Sequence, residues 1–319
     1  MSSPPLLILG VRRSGTTLLR LILDRSTGIA IPDESHFIPQ LARRHPGPVD
    51  RETFLEDLRR VRTLARWGIT VADVAPLVEP GSDTGAAIAA VFRAYAAKAG
   101  KPRWGDKTPA YMRYLPLLDR LFPDALYVHL IRDGRDCALS FLGMPDDAPT
   151  RTWAHPQDAA GFARQWVTEI RAARNLGNHV GQQRYLEIRY EDLVANSEQV
   201  VRSVCDFASL PFDPSMLEQG DVELAAKPHH RRLLEAPSKR RDWSVEMSAA
   251  DAESFELVAG PLLAELGYPL SNRNARRRNR RAAASLAWYR ARIAAWKTVA
   301  ALNQRSPLWR RRHPPLDGL

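Results

Sequence analysis

The 319-residue sequence has few cysteines and lacks a long apolar run. Its two cysteines, Cys137 and Cys205, have neither the spacing of a disulfide framework nor that of a metal site, so we expect a reducing, cytoplasmic setting. No stretch of about 18 apolar residues is present, which excludes a membrane-spanning helix. The apolar run near the N-terminus is short and has no basic lead-in, so we expect no signal peptide.

Acidic residues are scarce at the C-terminal end and balanced elsewhere. Residues 271–319 hold thirteen Lys and Arg against one acid, whereas the first 270 residues hold 33 bases and 35 acids. The main part of the chain therefore lacks the basic excess of a nucleic-acid-binding domain, and no nucleic acid partner is expected. This imbalance predicts a main domain over 1–270 and a basic tail over 271–319. The main domain's charge of −2 also gives no support for an acidic peptide as a ligand.

One lysine is missing from a glycine-rich loop. The stretch GVRRSGTT, residues 10–17, follows the apolar run LLIL and has the glycine spacing of a P-loop, but Thr16 stands where that motif has lysine. The loop carries Arg12 and Arg13 instead. Its backbone N–H groups and the following helix are typical of an anion site. No metal ion is expected, because no strand ends in a convincing metal-binding acid. The structural alternative is a plain strand-to-helix turn.

Short apolar runs alternate with helical periodicity. Strands are predicted over 5–9, 125–131 and from 185, which favours an α/β fold with a P-loop-type parallel sheet flanked by helices. The loops after residues 9, 131 and 189 all leave strand ends, and we expect them to converge on one site. Asp133 is predicted to cap a helix. Helices are predicted over 16–25, 35–44, 51–67, 84–99, 112–121 and 158–176.

Two motifs identify a resemblance. GVRRSGTTLLR resembles the 5′-phosphosulfate loop of sulfotransferases that use 3′-phosphoadenosine 5′-phosphosulfate (PAPS), and YVHLIRDGRDCALSF resembles their 3′-phosphate motif. RYEDLV at 189–194 and ELGYPL at 265–270 extend the similarity, which covers roughly 5–270 and is nearest the branch with protein-tyrosine and bacterial sulfotransferases. The resemblance implies metal-independent sulfuryl transfer from PAPS to a hydroxyl group, with release of adenosine 3′,5′-bisphosphate (PAP).

The resemblance also assigns residues to the nucleotide. Arg132 and Ser140 would hold the 3′-phosphate, and Tyr190 would lie beside the nucleotide; the alternatives are a surface ion pair for Arg132 and core packing for Tyr190. In EAPSKRRDW, 235–243, the phosphates could meet Ser238, Lys239 or Arg241, although a plain basic loop is an equal alternative. The residues assigned to the 5′-phosphosulfate are Arg13, Ser14, Gly15, Thr16 and Thr17.

The catalytic base differs between branches of the family. The cytosolic branch has Lys-Thr-His with histidine as base, whereas this sequence has Lys-Thr-Pro at 107–109. Lys107 is therefore assigned, with Arg13, to the bridging oxygen and sulfuryl group. Glu34 matches the glutamate base of the tyrosine-sulfotransferase branch, and His36 is its rival. A helix cap or a solvated charge is the structural alternative for Glu34.

The C-terminal tail leaves several hypotheses open. Leu286, Tyr289, Ile293, Trp296 and Ala300 form an amphipathic helical stripe after a basic run. The stripe could pack on the main domain or a partner helix, or residues 273–304 could lie on an anionic membrane surface, making the protein peripheral there, or recruit an anionic substrate. Binding of nucleic acid by the tail ranks below these alternatives. Two other functions compete with sulfuryl transfer: a P-loop kinase or hydrolase without its lysine, and a non-catalytic nucleotide-binding scaffold. The acceptor could be a sugar, lipid, phenol or tyrosine, and its pocket is expected along 45–100 and 144–157.

Overall fold

A four-stranded parallel sheet organises the molecule. The computed structural model describes residues 3–144, 155–218, 242–271 and 280–305. Strands β1 (Leu6–Leu9), β2 (Gly105–Asp106), β3 (Leu126–Ile131) and β4 (Tyr185–Arg189) pair in the order β2-β1-β3-β4. In register, Leu6 lies between Gly105 and Leu126, and Ile131 lies opposite Arg189. The predicted α/β class with a parallel sheet is confirmed.

Helices connect the strands and cover the sheet. Within the described ranges, 3-10 helices span Ala75–Leu77, Pro109–Arg113 and Pro214–Leu217. The α-helices of the described residues are α1 (Thr16–Asp24), α2 (Ile38–Arg44), α3 (Arg51–Leu58), α4 (Arg62–Arg66), α5 (Val71–Val74), α6 (Thr84–Lys98), α7 (Leu115–Leu121), α8 (Gly134–Leu142), α9 (Ala159–Val180), α10 (Tyr190–Ala195), α11 (Ser197–Ala208), α12 (Trp243–Glu246), α13 (Ala249–Glu265) and α14 (Arg280–Arg305).

The central strand separates two apolar cores. Successive side chains of a strand point to opposite faces. Leu7 and Leu9 of β1 therefore join a core built with α2, α3, α6 and α7, whereas Leu6 and Ile8 pack with α1 and α11. All four leucine and isoleucine side chains are buried. Since both faces are covered, β1 reads as a continuous apolar run, which is typical of a parallel sheet.

A third core forms beside the end of β3. Its aromatic centre is Trp166 of α9, which packs with side chains of α8 and α13. The side chain of Asp133 accepts a hydrogen bond from the backbone N–H of Arg135 at 2.9 Å, so the predicted cap at the start of α8 is confirmed. Both cysteines are buried and unpaired.

The tail helix α14 packs on the main domain through its first half. It contacts α9 and α13, and Tyr289 is buried at this interface. Leu286 and Ile293 are half-buried, whereas Trp288 on the opposite side is 65% exposed. Packing on the domain thus accounts for part of the predicted stripe. An interaction with an anionic membrane surface stays a prediction. No helix of the described ranges is long and apolar enough to cross a membrane.

Some predicted boundaries were wrong. The helix expected over 51–67 is two helices, because the chain tightens after Leu58 and Val61 adopts an extended conformation. That bend lets Val61 and Leu64 enter the same core as Phe54. Residues 112–121 likewise divide between a 3-10 helix and α7. Strand β2 was not predicted, because its two residues carry no apolar pattern.

Candidate active site

The four strands end at one edge, and each is followed by a segment of the candidate site. β1 leads into the glycine loop, β2 into Lys107, β3 into Arg132 and β4 into Tyr190. Parallel strands place all their carboxyl ends at the same edge, which is where ligands bind in such sheets. The predicted convergence of the three loops is present, with a fourth segment from β2.

The glycine loop turns tightly before α1. Ser14 donates its backbone N–H to the carbonyl of Val11 at 3.1 Å, and Gly15 caps the helix with φ +95°, in the left-handed region that favours glycine. Arg13 also has a left-handed φ of +73°. Its Nε donates to Ser140 Oγ at 2.9 Å, so the loop assigned to the 5′-phosphosulfate touches the residue assigned to the 3′-phosphate.

The ring of Tyr190 lies directly against Gly15 of the glycine loop. A Cβ atom at Gly15 would lie 2.3 Å from the Tyr190 ring, so no larger residue fits there without movement. The guanidinium of Arg132 lies over the Tyr190 ring, 4.4 Å from the ring centroid, and its Nη1 donates a hydrogen bond to the carbonyl of Arg13 at 3.3 Å. Tyr190 is buried between the two motifs and also belongs to the apolar core that Leu6 and Ile8 form with α1 and α11, so the alternative of core packing is present as well.

Two buried polar atoms in or beside the glycine loop have no hydrogen-bond partner among the described residues. They are Ser14 Oγ and Arg132 Nε. A buried polar group without a partner costs about 1–3 kcal/mol, so such groups need a ligand or water to complete them. One hydroxyl and one guanidinium donor, flanked by a glycine loop, fit an anionic ligand such as a phosphate group.

Asp136 competes for the same arginine. Its Oδ2 lies 3.6 Å from Arg132 Nη2, and its Oδ1 accepts a hydrogen bond from the backbone N–H of Trp243 at 2.8 Å. Burial raises the pKa of Asp136 to about 6, although the Arg132 charge opposes this rise. The ion pair that was the alternative role for Arg132 is thus present in the structure. Its N–O distance is long, and both side chains are mostly buried rather than at the surface.

A second group of charges lies beside the start of α1. Lys107 Nζ donates to Glu34 Oε1 at 2.6 Å and to Thr17 Oγ1 at 3.2 Å, and its side chain is only 1% exposed. Glu34 Oε2 lies 3.2 Å from His36 Nε2. Burial would raise the pKa of Glu34, but the hydrogen bonds and charges of His36 and Lys107 outweigh it and hold that pKa well below its usual range. Glu34 is therefore ionised at neutral pH.

Hydrogen bonds join the segment that carries Glu34 to the segment that carries Lys107. Ser35 donates its backbone N–H to Thr108 Oγ1 at 3.0 Å, and its hydroxyl lies 2.8 Å from the Tyr111 hydroxyl. Thr108 Oγ1 also donates to buried Asp106 at 3.2 Å. These positioning residues were not predicted, since no motif links residue 35 to 108. His36 has a left-handed φ of +58°, a strain often found at functional sites.

The predicted site residues of the described ranges form two contact groups. In the first, the Tyr190 ring lies against Gly15 and Arg132, Arg132 contacts Arg13, and Arg13 contacts Ser140, while Ser14 stands in the same loop between Arg13 and Gly15. In the second, Lys107 contacts both Glu34 and Thr17. Thr16 is buried in the first turn of α1. Ser238, Lys239 and Arg241 lie outside the described residues, as does most of the predicted acceptor loop 144–157. The described part of the chain holds no group of three or more His, Cys, Asp or Glu side chains arranged for a metal ion.

Comparison with known proteins identifies the family of the chain. The model of the sulfotransferase family matches residues 4–214. The chain belongs to the sulfotransferase family. Protein-tyrosine sulfotransferase A of Caenorhabditis elegans is 27% identical over 235 residues, which are 73% of this chain and 54% of that protein. The Drosophila melanogaster protein-tyrosine sulfotransferase is 25% identical over 80% of this chain and 44% of its own length. The chain thus spans about half the length of these sulfotransferases.

A solved sulfotransferase structure has the same fold. It is the sulfotransferase domain from the Synechococcus PCC 7002 olefin synthase, with a TM-score of 0.60 and 27% sequence identity. The superposition covers 85% of this chain and 97% of that domain. Almost all of that domain is matched by this chain. Most of this chain therefore has the fold of a sulfotransferase domain.

Proposed function

We propose that the protein transfers a sulfuryl group from PAPS to a hydroxyl acceptor. The observation that carries this proposal is the position of Lys107, whose ammonium group bridges Glu34 and Thr17, where the glycine loop ends and α1 begins. One side chain thereby links a candidate base to the candidate site of the leaving phosphate. A P-loop kinase or a non-catalytic scaffold gives no reason for this arrangement.

The donor would bind across the glycine loop and the ends of β3 and β4. Ser14, Gly15 and Thr16 would hold the 5′-phosphosulfate through backbone N–H groups and hydroxyls at the N-terminus of α1. Arg132 and Ser140 would hold the 3′-phosphate, for which the guanidinium offers a forked pair of donors. The unpaired Ser14 Oγ and Arg132 Nε support this assignment. Ser238 and Lys239 remain proposed contacts.

The reaction would proceed by in-line displacement at sulfur. Glu34 takes the proton of the acceptor hydroxyl as the new O–S bond forms. The S–O bond to the 5′-phosphate breaks, and its electron pair stays on the phosphate oxygen, giving PAP and the sulfated acceptor. Lys107 and Arg13 stabilise the charge that develops on that bridging oxygen. When Lys107 turns toward this oxygen, the pKa of Glu34 rises, which makes the carboxylate a better base.

The proposal identifies the acceptor as a hydroxyl compound and does not specify its chemical class further. The two relatives described above are named for protein tyrosine, whereas the solved domain belongs to an olefin synthase. These names do not agree on one acceptor, so we propose none more specific than a hydroxyl group. We further propose residues 1–270 as the PAPS-binding domain and 271–319 as a tail.

Binding of PAP should require its 3′-phosphate. We expect micromolar affinity by calorimetry without added metal, and much weaker binding of ADP, which lacks that group. Arg132→Ala should weaken PAP binding about ten- to a hundred-fold, the range for losing a charge-assisted hydrogen bond. Arg120→Ala, an exposed arginine of α7, serves as the control. Equal affinity for ADP, or an unchanged Arg132→Ala variant, would contradict the donor assignment.

Asp136 should make PAP binding depend on pH. Its carboxylate is ionised above pH 6 and then competes with the 3′-phosphate for Arg132. Asp136→Asn keeps an oxygen for the Trp243 N–H and removes the charge, so at pH 8 it should bind PAP about ten-fold more tightly, and this gain should vanish at pH 5. The Kd of the variant is divided by the Kd of the unmodified protein at the same pH. Protonation of the phosphate affects both values equally and so drops out of this ratio. Weaker binding of the variant at every pH would show that Asp136 positions Arg132 instead.

A further inference from the structure

A second carboxylate is buried beside the Glu34–Lys107 pair. Asp106 ends strand β2, is only 3% exposed, and is not used by the reaction proposed above. Lys107, the next residue, contacts the side chain of Glu34, whereas Thr108 contacts the backbone of Ser35. Because a buried charge is costly unless hydrogen bonds compensate it, the partners of Asp106 indicate what its carboxylate does there.

Asp106 ends a chain of buried hydrogen bonds. Its Oδ1 atom lies 3.2 Å from Thr108 Oγ1, which lies 3.3 Å from Ser35 Oγ. The Ser35 hydroxyl lies 2.8 Å from the Tyr111 hydroxyl, which accepts the backbone N–H of Ile38 at 3.1 Å. The three hydroxyl-bearing residues are each at most 3% exposed. The chain therefore runs through the interior from Asp106 to the start of α2 and includes the segment that carries the candidate base.

The charge of Asp106 gives this chain one direction. An ionised carboxylate only accepts hydrogen bonds, so Thr108 donates its single hydroxyl proton to Asp106. Ser35 must then donate its hydroxyl proton toward Thr108, and Tyr111 must donate its own to Ser35. A protonated Asp106 could donate to Thr108 instead, and the order of the other two hydroxyls would no longer be imposed. The direction of the chain is thus fixed only while Asp106 is charged.

Helix α4 binds the same segment through different backbone groups. Trp67, at the C-terminal cap of α4, donates from Nε1 to the carbonyl of Asp33 at 3.0 Å. Thr63 Oγ1 donates to the carbonyl of Ser35 at 3.2 Å, and Arg66 Nη2 donates to the Thr63 hydroxyl at 2.8 Å. The residues before and after the candidate base are therefore held by α4 through their carbonyl groups, while the hydrogen-bond chain holds the same segment through N–H groups.

Several groups act on the pKa of Asp106. Burial raises this pKa to about 6, although the hydrogen bonds of the chain and the charges of Lys107 and His36 oppose the rise. The register partner of Asp106 in β1 is Leu7, which carries no charge. Burial and then the charge of Asp106 raise the pKa of Tyr111 well above its usual value, so the phenol keeps its proton and can donate it within the chain. Asp106 is ionised above pH 6, and the chain is ordered there.

We propose that Asp106 is a positioning residue which, through Thr108 and Ser35, holds Glu34 where it can take the proton of the acceptor hydroxyl. This inference rests on the proposed sulfuryl transfer and adds one residue to those that serve it. Asp106 acts on the reaction only through the segment of Glu34. When Asp106 gains a proton, the chain loses its fixed direction and Glu34 its fixed place, so turnover slows while PAP binding is kept.

The first test compares kcat at two pH values. Asp106→Asn keeps the size of the side chain and is uncharged at every pH. With full-length protein, saturating PAPS and 4-ethylphenol, kcat of the variant should be about ten-fold below that of the unmodified protein at pH 8 and within about two-fold of it at pH 5. The two values converge because Asp106 of the unmodified protein gains its proton between these pH values. A role in folding alone would not make them converge.

A second readout needs no turnover. Backbone hydrogen exchange, followed by mass spectrometry of a peptide spanning 33–38, reports on the N–H groups of Ser35 and Ile38, which donate to hydroxyls of the chain. In Asp106→Asn at pH 8 these two groups should exchange about ten-fold faster than in the unmodified protein, and at pH 5 the two rates should agree within about two-fold. Exchange in α6 should be the same in both proteins, since faster exchange there would indicate general loosening.

Further variants serve as controls. Glu256→Gln neutralises another buried carboxylate, which accepts hydrogen bonds from Arg135 and Ser271, and it should change kcat by the same factor at pH 5 and pH 8. Thr108→Val interrupts the chain and should be slow at both pH values. Thr108→Ser keeps the hydroxyl and should restore the fall in kcat between pH 8 and pH 5. This pair of variants carries the test if Asp106→Asn does not fold.

Three results would overturn the proposal. The kcat ratio of Asp106→Asn to the unmodified protein is the same at pH 5 and pH 8, its peptide 33–38 exchanges as in the unmodified protein at pH 8, or Thr108→Ser behaves like Thr108→Val. An unmodified protein that does not bind PAP would instead contradict the proposed function, and the exchange experiment would still decide whether Asp106 holds the segment.

Discussion

Glu34→Gln is expected to lower kcat by about 10²–10⁴-fold while PAP affinity stays within about two-fold, because the amide cannot take the acceptor proton. The loss should grow as the acceptor hydroxyl becomes less acidic. A 4-ethylphenol acceptor should therefore suffer more than 4-nitrophenol, whose proton leaves with little help. The measurement is turnover of radiolabelled PAPS with the two phenols under saturating donor.

His36 provides the matched control for Glu34. Asparagine tolerates the left-handed φ of this position better than most residues, so His36→Asn should keep the backbone conformation. We expect it to lower kcat by less than about ten-fold, since the imidazole contacts Glu34 and is not itself the base. Near-normal turnover of Glu34→Gln, combined with a large loss in His36→Asn, would move the base to His36.

Lys107→Met should lower kcat by about 10²–10³-fold, the usual effect of removing one group that stabilises charge in the transition state. It should also change the pH profile. The Lys107 charge and hydrogen bond lower the pKa of Glu34, so their removal raises that pKa. Since activity is lost as pH falls through the pKa of the base, the acidic limb of kcat/KM should move to higher pH in the variant.

Lys98→Met is the control for this change, since Lys98 is exposed at the end of α6. It should leave both kcat and the pH profile as they are. Met at position 107 is close in length to lysine, and a thermal unfolding curve would check that the fold is kept. An acidic limb that stays in place would show that Lys107 does not control the ionisation of Glu34.

The sequence predicted the donor side of the site better than the acceptor side. Residues of the glycine loop, Arg132 and Tyr190 lie at the ends of strands, and strand order in a parallel fold brings such ends together. Their neighbourhood therefore follows from a local pattern of apolar run, glycine and helix. Their roles in binding PAPS stay predictions, as do the catalytic roles of Glu34 and Lys107.

The acceptor side depends on contacts with no local signature. Arg113 falls in the helix predicted over 112–121, and Glu169 lies in the middle of the helix predicted over 158–176, and nothing in the two patterns links them. Arg113 Nε lies 3.6 Å from Glu169 Oε1 because the 3-10 helix Pro109–Arg113 packs against both β1 and α9, and no periodicity predicts that contact. The same holds for Tyr289, whose apolar stripe was recognised but whose partner could not be chosen from spacing alone. The break after Leu58 was missed because the helical period continues across it.

The strand order also governs when the site can exist. β1 lies in the interior of the sheet, yet its neighbours begin about 100 and 120 residues later in the chain. Long-range parallel pairing forms slowly, because loop closure must precede any gain from the contacts. During synthesis, the glycine loop therefore emerges long before the strands that hold it. The candidate donor site is therefore a late product of folding, because it cannot form before the segment carrying Tyr190 has emerged.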